Sequence, residues 1–112
     1  MKTHQARAHA LITQADDLRQ RGKLEEALAA YREAIRLVPA FGTLNLVIGE
    51  MLFQHQRPAE AATAFRAVLA LVPEHDQAWS RLGQCQLLQG QTEDAFVSFE
   101  KALALNRNDV EA

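Results

Sequence analysis

The chain has 112 residues, 12 Lys and Arg against 14 Asp and Glu, and a single cysteine, Cys85. Near-neutral charge argues against nucleic acid, which needs a strongly basic face, and a lone cysteine excludes an internal disulfide or a cysteine-based zinc site. No run approaches the roughly 18 apolar residues of a membrane span, and the polar start Lys2-Thr3-His4-Gln5 lacks a secretory signal, so one domain, 1–112, in a cytoplasmic setting is expected.

In chain order, a first helix is expected from near Thr3, with His4, Gln5, Arg7, His9, Gln14 and Asp17 making it polar enough for an outer surface. Gly22 then supplies a left-handed turn. After it, Leu24, Ala27, Leu28, Tyr31, Ala34, Ile35 and Val38 follow the three-four spacing of an amphipathic helix. Pro39 closes that run, and the next helix carries Gly49 in its interior, at a cost of about 1 kcal/mol against alanine. Gln56-Arg57-Pro58 fills the following turn, with Pro58 suited to the first turn of the helix that carries Ala61 and Phe65. Beyond Pro73 come the helix with Trp79 and Gly83, the turn at Gly90, and a last helix carrying Ala95, Phe96, Phe99, Ala102 and Leu103. Thr92 before Glu93 and Asp94 reads as its cap. No stretch alternates with period two, so no strand is expected.

These elements repeat. Pro39 and Pro73 stand 34 residues apart, and the same step aligns Ala27, Ala61 and Ala95, then Tyr31, Phe65 and Phe99, then Ala15, Gly49 and Gly83. Leu37, Leu71 and Leu105 follow, with Ile35, Leu69 and Leu103. The interior glycines imply close helix crossings, with the alanines opposite them and the aromatics filling the space beside.

Trp79-x-x-Leu82-Gly83, Ala95-x-x-x-Phe99 and the 34-residue step together resemble the tetratricopeptide repeat (TPR) pattern. The resemblance covers three copies, about 8–41, 42–75 and 76–109, with the start of a fourth at 110–112. It implies an all-α, right-handed α-solenoid of antiparallel helix pairs, about six helices in all. Leu11 and Asn45 depart from it where Trp79 stands, Gln14 and Gln86 replace apolar residues, and Arg107 replaces the closing proline.

Nothing in the pattern indicates chemistry. His4, His9, His55 and His75 are scattered without the spacing of a helical metal site. Cys85 has no histidine near it in sequence, the glycines form no phosphate loop, and Asp16-Asp17 and Glu25-Glu26 point to different directions on their helices. The expectation is therefore a non-enzyme without cofactor or metal.

The resemblance implies that the first helix of each pair lines a concave groove. Its register gives Ile12, Asp16 and Arg19 (with His9) from the first repeat. The second gives Thr43, Leu46, Glu50 and Phe53, and the third gives Gln77, Arg81, Gln84 and Leu87 (with Ser80). Within each helix these residues are three or four apart and share a stripe. Apolar Ile12, Leu46, Phe53 and Leu87 among compensating charges suggest a protein or peptide ligand with apolar anchors. Relatives that clamp the acidic carboxyl terminus of heat-shock chaperones would use positions 12, 16, 47, 77 and 81. Here those are Ile12, Asp16, Val47, Gln77 and Arg81, and only Arg81 fits.

The expected function is a protein-interaction module, with no nucleic acid and no membrane among its partners. Two alternatives are an accessory region of a larger transferase-type enzyme and a self-assembling scaffold. The second would associate through the carboxyl end, where Phe96, Leu103 and Leu105 lack a covering helix.

Overall fold

The computed structural model describes residues 2–111, with side chains from Thr3 to Arg107. Within that span lie α1 (Lys2–Gln20), α2 (Leu24–Leu37), a 3₁₀ segment (Pro39–Leu44), α3 (Asn45–Gln54), α4 (Pro58–Leu71), α5 (Asp76–Leu88) and α6 (Thr92–Glu111). The chain forms two compact units, Met1–Leu44 and Asn45–Ala112. In the first, α1 packs on α2; in the second, α3 packs on α4, α4 on α5 and α5 on α6. No helix of the described residues is long and apolar enough to cross a membrane.

One turn geometry closes all three helix pairs. Lys23 N–H donates to the Leu18 carbonyl at 2.9 Å while Gly22 N–H donates to Arg19 at 3.0 Å. The same two bonds recur as Arg57 to Leu52 with Gln56 to Phe53, and as Gln91 to Gln86 with Gly90 to Leu87. This crossed pair satisfies helix-end carbonyls and needs a left-handed residue at its centre. Gly22 and Gly90 take φ of 76° and 78°, and Gln56 takes 63° without the freedom of glycine. Each pair is thus joined by a short turn that folds its second helix back, antiparallel, on its first.

The other junctions are set by proline. Val38 and Val72 leave their helices with φ of −133° and −131°, because the residue before proline is driven to extended backbone. Whether the helix restarts at once depends on the residue two positions beyond the proline. His75 caps α5, its Nδ1 accepting from Ala78 N–H at 3.2 Å. Phe41 stands at that register in the second repeat and has no acceptor to offer, so the chain winds through the 3₁₀ segment and α3 begins only at Asn45. Where the register places the third proline stands Arg107, and α6 runs 20 residues, through it to Glu111, against 14 for α4. The expected opening of a fourth repeat at 110–112 falls on that extension and on residues whose side chains lie outside those described. Thr92 is the first residue of α6, not the cap before it; the Gln91 carbonyl opens the ladder, accepting from Ala95 at 2.9 Å.

A Cβ built on Gly49 would lie 2.8 Å from two carbons of the Phe65 ring, and one on Gly83 would lie 2.8 Å from Phe99. The aromatic of the partner helix therefore lies directly over the glycine. In the first unit, Ala15 and Tyr31 occupy the same register and are both buried.

Gln86 and Ser98 are buried polar residues of the second unit, and they answer each other: Ser98 Oγ donates to Gln86 Oε1 at 2.6 Å. Cys85 is fully buried, and burial pushes its thiol pKa up, away from reactivity.

Candidate functional site

The residues expected to line a groove fall in both units, and each unit holds its own arrangement. In the first, Ile12 and Asp16 are half-buried on α1 and Arg19 is exposed. The buried Tyr31 hydroxyl of α2 donates to Asp16 Oδ1, and Arg19 Nη2 lies 3.9 Å from that oxygen. Burial first, and this hydrogen bond second, push the Tyr31 phenol up to about 12. Asp16 is thus drawn toward the helix partner. His9 meets the Phe41 ring edge-on at 5.2 Å. Thr43 is exposed in the 3₁₀ segment, off the α3 stripe on which the sequence places it.

In the second unit the structure brings four of the expected residues together. Glu50 of α3 takes a forked ion pair from Arg81 of α5, at 2.6 Å from Nε and 3.1 Å from Nη2. The remaining guanidinium nitrogen, Nη1, donates to Gln84 Oε1 at 2.9 Å. The guanidinium carbon lies 4.9 Å from the centroid of the Phe53 ring. The planar fork explains this placement, since it pairs with a carboxylate in its own plane and stacks on an aromatic with its face. Its partly buried side chains, 32% and 24% exposed for Arg81 and Glu50, shield the pair from full solvent screening. Around the cluster, Leu46 is half-buried, Gln77 is exposed, and Leu87 is 52% exposed.

A second feature lies where α5 meets α6. A cleft of about 590 Å³ is lined by Gln77, Ser80 and Arg81 on one side and Phe99, Leu103 and Asn106 on the other. Sequence reasoning placed Phe99 in the core; here it is half-buried and forms the cleft wall. The signal was present in Leu103 and Phe96, which lack a covering helix and are 59% and 64% exposed.

Among the described residues, no three His, Cys, Asp or Glu side chains are grouped as metal ligands. His75 caps a helix, and His55 Nδ1 lies 2.8 Å from the Met51 carbonyl at the end of α3.

A model of the tetratricopeptide repeat matches residues 12–73 and again 52–110. A general transcriptional corepressor, trfA of Dictyostelium discoideum, is 24% identical over 82 residues; the match takes in 73% of this chain and 6% of that protein. This chain therefore spans a small part of the relative it matches. Among solved structures, the first TPR of Spaghetti (RPAP3), bound to the HSP90 peptide SRMEEVD, superposes with a TM-score of 0.78 at 23% identity. That match covers 93% of this chain and 82% of the other. MamA superposes with a TM-score of 0.85 at 18% identity over 94% of this chain and 61% of its own. These likenesses establish an all-α helical-repeat fold.

Proposed function

From the premise that the chain belongs to the tetratricopeptide repeat family, we propose that it is a protein-interaction module. Its working face is the α3–α5 stripe of the second unit, Leu46, Glu50, Phe53, Gln77, Arg81, Gln84 and Leu87. Ile12, Asp16, Arg19 and Thr43 hold the corresponding sequence positions in the first. The ligand is a protein or peptide segment with apolar anchors.

The observation that carries this reading is the saturation of Arg81. The superposable RPAP3 repeat holds an acidic peptide. Here the cation of the α3–α5 stripe in the second unit is already engaged by Glu50, Gln84 and the Phe53 ring. An incoming carboxylate would have to displace Glu50, and the pair carries no net charge to attract it. What remains available on the stripe is Leu46 and Leu87 beside polar Gln77, a surface suited to apolar contact with a polar rim.

Titrating SRMEEVD into the chain, followed by calorimetry, tests this. No saturable binding up to about 1 mM is expected. Tight binding that is lost with Arg81→Ala would replace the apolar reading with a carboxylate clamp.

A further inference from the structure

At the start of α5 the capping group is one that can be switched off. His75 Nδ1 accepts from Ala78 N–H at 3.2 Å, whereas α2 and α4 begin without a side-chain bond of this kind. A neutral imidazole with its proton on Nε2 can accept there; an imidazolium carries a proton on both nitrogens and cannot. Its charge would also face the positive end of the helix dipole. Histidine is the side chain that ordinarily changes charge between about pH 5 and 8.

The chain also shows what this register does without an acceptor. Phe41 is the register mate of His75, and Gly42 that of Asp76. After His75 the α-helix begins at once, at Asp76; after Phe41 it waits until Asn45, with the 3₁₀ segment between. Ala78 is wholly buried in the first turn of α5, while its mate Leu44, in the 3₁₀ segment, is half-buried.

We propose that His75 is a pH-operated latch on α5: on acidification the cap opens, and Asp76, Gln77 and Ala78 leave the helix for a conformation like that of Pro39–Leu44. The sign follows from the bond. The capped state excludes a proton from Nδ1, so protons favour the uncapped state, and the latch opens as pH falls.

The surrounding charges set where in the histidine range it opens. Glu74 and Asp76 flank His75 and favour its cation. From α3 comes Glu50, paired with Arg81; α4 carries Glu60, paired with Arg57, and Arg66. On α6, Ser98 meets Gln86 while Lys101 lies 4.5 Å over the Trp79 ring, so that helix runs antiparallel to α5. Its Glu93 and Asp94 therefore lie toward the far end of α5, with Glu100 between, and Lys101 and Arg107 toward His75, where they oppose the cation. Asp76 is no ready substitute cap, since its Oδ1 already accepts from Gln77 N–H at 3.0 Å. Opening withdraws Gln77 from the α3–α5 stripe, so acid should weaken a ligand held there. That consequence rests on the function proposed above; the latch itself does not.

The test needs no ligand. Trp79, the chain's one tryptophan, donates from Nε1 to the Pro73 carbonyl at 2.8 Å and so spans the segment that moves. Its emission and the amide-exchange protection of Ala78 would be followed from about pH 7.5 to about pH 5. In the parent, Ala78 protection should fall about fivefold or more and the emission should shift with it, while amides in the middle of α4 and α6 keep theirs. His75→Asn, whose amide oxygen accepts at every pH, should hold both readings constant. His75→Phe, which copies Phe41, should show the acid readings already at pH 7.5, with circular dichroism checking that the other helices remain. The proposal is overturned if Ala78 protection in the parent is level across the range, or if His75→Asn follows the same course as the parent. It is equally overturned if a folded His75→Phe variant keeps the parent's protection at pH 7.5. An emission change without the protection change would also overturn it, reducing the effect to quenching of Trp79 by a nearby charge.

Discussion

The Phe65 ring occupies the space that a Cβ on Gly49 would need, its nearest carbons 2.8 Å from that point. Phe99 does the same to Gly83, so the contact is a repeated device that lets two short helices approach over an aromatic plate. Gly49→Ala gains about 1 kcal/mol of helix propensity and meets an overpacking cost of about 1–3 kcal/mol. The buried ring of Phe65 has nowhere to retreat, so the net result should be a loss on the order of 1 kcal/mol in urea unfolding. Adding Phe65→Leu should make the double variant lose less than the two single losses together.

The turn at Gln56 offers the opposite outcome. Its φ of 63° matches Gly22 and Gly90, but it bears a side chain. Gln56→Gly should therefore raise stability by about 1 kcal/mol, by relieving left-handed strain. Gly90→Ala should lower it by a similar amount, although no atom lies within 4 Å of the added Cβ. Matched urea midpoints with unchanged m-values would check both.

Gln86 and Ser98 replace the Leu52 and Ala64 of the preceding repeat, and both are buried. Ser98→Ala strands the Gln86 amide and should cost about 1–3 kcal/mol. Gln86→Leu with Ser98→Ala rebuilds the apolar pair of the second repeat and should recover that loss. Thermal unfolding of the three variants measures it.

Tyr31 makes the first unit sensitive to alkali. Its phenol is raised from about 10 in the unfolded chain to about 12, by burial and then by its bond to Asp16. A raised pKa means the folded state favours the protonated form. The contribution is thus fully present below about pH 10 and is lost as pH rises through about 12. The urea midpoint should fall across that window, and Tyr31→Phe should flatten the fall.

Much of this architecture was legible because a repeat writes its core three times. Size classes kept in step at Ala27, Ala61 and Ala95 give the helix pairs, and Gly22, Pro58 and Gly90 give the turns. What one period cannot supply is the consequence of a single exchange. Phe41 for His75 removes a cap and turns the opening of a helix into a 3₁₀ segment. Arg107 for proline lets α6 run on. The groove register named Glu50, Phe53, Arg81 and Gln84, but not that Glu50 neutralises Arg81 while Gln84 and the Phe53 ring engage the rest of its guanidinium. That depends on the distance between α3 and α5, which no spacing along the chain encodes.

The central claim is that the α3–α5 stripe holds a protein ligand through apolar contact. The most direct measurement compares proteins captured from a lysate of the source cells by the immobilised chain and by a folded Leu46→Glu variant. Circular dichroism and Trp79 fluorescence would establish that the variant is intact. The account predicts a protein held by the parent and lost with Leu46→Glu, its affinity for the purified chain reduced by about 1–3 kcal/mol. Identical capture by both, or capture by neither, would contradict it.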